Sequence, residues 1–72
     1  MTLLRMAAGY RHSADLLRLR IVALKEQLRE ASPEEKARLE QRIRDLQTLH
    51  RETRETALVL ERYYDRRYHR NG

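Results

Sequence analysis

A single interruption divides this chain into two stretches whose apolar side chains return at alternating steps of four and three residues. In the first, Leu3, Ala7, Tyr10, Ala14, Leu17, Ile21, Leu24 and Leu28 fall on one seam of a helix. In the second, Leu39, Ile43, Leu46, His50, Thr53, Ala57, Leu60 and Tyr64 do the same. Between them lies Ala31-Ser32-Pro33-Glu34-Glu35. Ser32 suits a helix N-cap, Pro33 the first helical position, where a missing N–H costs nothing, and Glu35 completes a capping box. Two stripes joined by so short a turn bury one another only by folding back antiparallel. The expected fold is all-α: an antiparallel, coiled-coil-like helical hairpin, one domain over residues 1–72, with helices at about 2–30 and 33–69 and a turn at 31–33.

A turn centred on Ser32 and Pro33 also sets the register. Leu28 should face Leu39, Leu24 should face Ile43, and Ile21 should face Leu46. Toward the open end Ala14 meets Thr53, Tyr10 meets Ala57 and Ala7 meets Leu60, so large residues there oppose small ones as interdigitated packing requires. Gly9 and Ser13 weaken the first helix locally. They leave open an alternative in which it begins at Ser13 and residues 1–12 form a separate arm.

Size then argues for association. In 72 residues one hydrophobic core supplies roughly 3–5 kcal/mol, and a chain without cysteine has no disulfide or thiolate metal site to add to it. Oligomerisation is the remaining supplement. Leu16, Leu19, Val22 and Ala23 lie off the first seam, and Leu58 and Val59, with Leu49, lie off the second. Between Ala14 and Leu24 only Asp15, Arg18 and Arg20 are polar, so the first helix is apolar nearly all round and is expected to be buried on more than one side. Leu16, Leu19, Val22, Ala23, Leu58 and Val59 are accordingly the expected oligomer interface of a homodimeric four-helix bundle with the first helix central. A heteromeric partner on the same surface is one alternative, and a broad core stripe with a few exposed leucines is the other.

Charge points to a second candidate region. The net charge of +5 comes from 16 basic and 11 acidic residues, and the excess sits at the chain ends: residues 32–60 carry six of each sign, whereas residues 61–72 carry four basic and two acidic. Only Lys25 and Lys36 are lysine, a bias that fits either bidentate anion recognition or a GC-rich genome. The segment Glu61-Arg62-Tyr63-Tyr64-Asp65-Arg66-Arg67-Tyr68-His69-Arg70 interleaves rings with guanidinium groups, a mixture suited to partner hot spots and to phosphates and unstacked bases. Arg62, Tyr63, Arg66, Arg67, Tyr68 and Arg70 are the candidate contacts to a protein or nucleic-acid partner. The competing reading places Tyr64 against Leu3 to close the seam and leaves the arginines as a solvated face.

Other chemistries find little support. Asp65 and His69 have a spacing that can share a metal ion, but His12, His50 and His69 do not converge within one hairpin, and no metal or cofactor is expected. His50 on the seam suits a register-setting polar residue instead. Without cysteine, a Gly-rich loop or paired catalytic groups in a cleft, no enzymatic activity is expected. Pairs such as Glu34 with Arg38 and Glu40 with Arg44 describe a solvated helix face. The N-terminus lacks the apolar core of an export signal, and no stretch approaches the ~20 apolar residues of a membrane span. A cytoplasmic, membrane-independent protein is expected.

Three segments carry a resemblance: Leu-Leu-Arg-Met-Ala-Ala-Gly-Tyr-Arg-His-Ser-Ala at residues 3–14, Arg-Glu-Thr-Arg-Glu-Thr-Ala at residues 51–57, and residues 61–70 quoted above. Together they resemble a group of short, uncharacterised helical-hairpin proteins of bacterial mobile elements, which implies a bacterial cytoplasmic setting and no particular mechanism. The architecture is similar to that of Rop, the small RNA-binding regulator of plasmid copy number. That likeness is one of form, with no residue motif to carry over.

Overall fold

A computed structural model describes residues 2–69, with side chains as far as residue 65. The described chain is two helices, α1 (Thr2–Arg29) and α2 (Pro33–His69), packed against each other along a rod of 58 × 16 × 14 Å. It is an all-helical hairpin. α1 runs unbroken from Thr2, so residues 2–12 continue the helix rather than forming an arm. A Cβ placed on Gly9 would meet nothing within 4 Å, so this glycine answers no packing need within the hairpin.

The turn is built by local hydrogen bonds. The Ser32 hydroxyl oxygen accepts from the Glu35 backbone N–H at 3.3 Å and donates to the Glu35 carboxylate at 3.1 Å. Glu35 thus reaches back to the cap through the hydroxyl, where a capping box would send it to the Ser32 N–H. The first helical bond of α2, Lys36 N–H to the Ser32 carbonyl, is 2.8 Å. At the end of α1, Glu30 and Ala31 donate to the carbonyls of Gln27 and Leu28 at 3.2 and 3.4 Å. This tightened last turn satisfies carbonyls that a left-handed glycine serves elsewhere, and no described residue has a positive φ.

The core is thin and follows the two seams. Near the turn Ile21, Leu24 and Ile43 are buried, with Leu28, Leu39 and Leu46 packed around them, which unites the six residues expected to face one another there. Toward the open end the buried residues are Ala7, Ala14 and Ala57. Small side chains at these levels let larger seam neighbours fold over them. Ala57 is wholly enclosed, while Tyr10 on the facing seam remains 39% exposed. Thr48 and Thr56, both within α2, turn their hydroxyls back onto the carbonyls of Arg44 and Glu52, carbonyls that the helix ladder also uses.

Candidate functional site

With a and d positions on the seam, heptad spacing assigns every other residue to a flank or to the outer face. In an antiparallel pair the e positions of both helices share one flank and the g positions share the other. The two flanks of this hairpin differ in kind.

The g flank is largely apolar toward the open end, while Arg20, Gln27 and Arg42 occupy its turn half. Tyr10, Ser13, Leu16, Leu17, Leu49 and Thr53 line an open groove on it. Leu49, Thr56 and Tyr63 follow at steps of seven along α2, and Met6 and Ser13 do so along α1, extending the surface to the open end. Leu16, Leu49 and Val59 are 54%, 48% and 62% exposed, and Met6 and Tyr63 are also exposed. A second, smaller apolar area continues around the outside of α1 through Leu19 and Val22, both exposed. Ala23 is exposed beside them. Leu58 behaves differently from Val59: it is half-buried within the hairpin because it sits one position closer to the e flank. Met6 joins the apolar surface from a position that the apolar pattern left aside, and Tyr10 reaches it from the seam.

The e flank is charged. Arg11 Nε donates to Glu61 Oε2 at 2.6 Å and Arg11 Nη2 to Glu61 Oε1 at 2.7 Å, a side-on bidentate pair joining α1 to α2. Side chains lean toward the N-terminus of their own helix, so Arg11 reaches toward the open end and Glu61 toward the turn, and the two meet. Arg11's hydrogen bond, helped by its charge, holds the Glu61 carboxyl below its ordinary range against the opposing effect of desolvation, and the same contact raises Arg11. Next to this pair Arg11, Ala14, Asp15, Arg18, His50 and Arg54 line a half-open hollow of about 330 Å³. His50 makes no hydrogen bond to another described residue; half-buried on the seam, it faces this hollow. On the solvent face Arg44 donates to Gln41 at 2.9 Å, not to Glu40, and Gln41 donates to Asp45 at 2.9 Å.

No known protein family, curated protein or solved structure matches this chain. At the open end Arg62 and Tyr63 are exposed and Tyr64 is half-buried, while the side chains of Arg66, Arg67, Tyr68 and His69, and all of Arg70, lie outside the described residues. Among the described residues no three His, Asp or Glu side chains gather as metal ligands, and no helix is long and apolar enough to cross a membrane.

Proposed function

We propose that this chain is a non-enzymatic interaction module that works as an oligomer, a homodimer in its simplest form, with the apolar g flank and the adjoining outer face of α1 as its self-association surface. Surface area carries the reading. A folded monomer of 8.7 kDa ordinarily exposes about 4,700 Å², whereas this hairpin exposes 6036 Å². The surplus, about 1,300 Å² on that scaling, exceeds the ~800 Å² that each partner contributes to a standard interface.

Two flanks of opposite character support the same assignment. Packing g flank to g flank about a two-fold axis places Leu16, Leu49, Val59 and Tyr63 of one copy against the same residues of the other, and it keeps the charged e flanks in water. A four-helix bundle results, and the open ends, with Arg62, are left to present a composite surface to a further partner.

Size measurements on substituted chains test this. Leu49→Glu and Leu16→Glu should each yield monomers that keep their helical circular dichroism, because neither residue is in the hairpin core. Glu55→Lys, on the outer face of α2 away from both flanks, is a change of charge without apolar loss and should leave the dimer in place. A Leu49→Glu chain that elutes as the wild type does would remove the g flank from the interface.

A further inference from the structure

Arg18 stands seven residues after Arg11 on α1, and Arg54 stands seven before Glu61 on α2. The two pairs therefore occupy equivalent e-flank sites one heptad apart, about 10 Å along the rod. At the outer site the facing charges are opposite and form the bidentate pair described above. At the inner site both are arginine. Neither Arg18 nor Arg54 forms an ion pair with another described residue, and both line the same hollow as His50. Two guanidinium groups lining one hollow repel unless something anionic lies between them.

We propose that this hollow is a binding site for a phosphate group, clasped by Arg18 and Arg54 with His50 at its base. Guanidinium forks match phosphate oxygens in pairs, and an imidazole can donate one further hydrogen bond from either ring nitrogen. Glu61 already matches Arg11, and Asp15, on one wall, acts on Arg11 too. Asp15 is the one carboxylate among the lining residues against three arginines, so the lining carries a positive excess. The volume, about 330 Å³, is at the small end of the roughly 300–1,000 Å³ range of ligand sites, which favours one phosphate and the group that carries it over a large ligand. The site lies on the flank opposite the apolar one and does not depend on self-association. The phosphate belongs either to a small phosphorylated molecule or to the backbone of a single-stranded nucleic acid.

Thermal melts of the full chain at matched ionic strength distinguish these sources and test the site itself. The probes are sodium chloride, inorganic phosphate, and chloride with a short oligothymidylate. Phosphate strengthens apolar burial in general, so the informative quantity is the shift of the wild type beyond that of Arg18→Glu. In chloride, Arg18→Glu should melt higher than the wild type, because a glutamate there faces Arg54 as Glu61 faces Arg11, and it should lose the excess response to either probe. Arg18→Gln should weaken phosphate binding by about ten- to a hundredfold, the loss of one charged contact. Arg42→Gln, on the other flank, should retain it. A wild-type shift with inorganic phosphate assigns the site to small phosphates; a shift with the oligonucleotide alone assigns it to a nucleic-acid backbone. No excess shift with either probe overturns the proposal, as does an Arg18→Glu chain that responds like the wild type or an Arg42→Gln chain that loses the response equally.

Discussion

Arg11 and Glu61, fifty positions apart in the chain, meet through two parallel hydrogen bonds of 2.6 and 2.7 Å and tie the open end of the hairpin together. Both are solvent-accessible, so the pair acts chiefly on register and contributes modestly to stability, less so in high salt. Its pH dependence has a defined sign. Arg11 lowers the Glu61 carboxyl in the folded chain, so its stabilisation is full above the ordinary glutamate value of about 4.3 and disappears as pH falls through the lower folded value. Melting temperatures of wild type and Glu61→Gln should therefore differ slightly at neutral pH and converge in acid. A difference that grows on acidification would contradict the ion pair.

Ser32→Ala removes the hydroxyl that both accepts from and donates to Glu35. Loss of an N-cap should cost about 1 kcal/mol, visible in urea unfolding as a lower midpoint with an unchanged slope.

Leu24 lies at the centre of the cluster near the turn and is 5% exposed. Leu24→Ala should cost about 2–5 kcal/mol, comparable with everything a core of this size supplies, so the variant should have lost most of its helical signal at 25 °C. Leu19→Ala, at an exposed position, should keep that signal and weaken only association.

Gly9→Ala should stabilise the chain by about 1 kcal/mol, because glycine is a poor helix former and the added methyl meets no neighbour in the hairpin. A thermal melt reads this directly. A drop in melting temperature would show that something packs closely on α1 at Gly9.

The two helices and their seams were legible because each pattern is local: four-three spacing names the buried side, and Ser32-Pro33 with Glu35 names the turn. The seam residues account for all six buried positions among the described residues. The flanks were not legible in the same way. Which surface Leu49 shares with Leu16, or Arg18 with Arg54, depends on pairing e with e and g with g, and that follows only after the antiparallel register is combined with heptad position. Counting apolar residues off the seam grouped Leu58 with Val59, yet a rotation of one residue turns Leu58 into the hairpin and Val59 out to solvent. The Arg11–Glu61 pair carried a signal of the same kind, since Arg11, Arg18 and Lys25 repeat at steps of seven along one flank. At the basic tail the sequence names Arg66, Arg67, Tyr68 and Arg70, whose side chains are outside the described residues.

Self-association is the claim on which the functional account turns, and sedimentation equilibrium of the unmodified chain measures it most directly. At micromolar concentration the account predicts a mass twice the 8.7 kDa of one chain, falling toward the single-chain value only on strong dilution. A single-chain mass throughout the micromolar range, with Leu16, Leu49 and Val59 left in water, would contradict it.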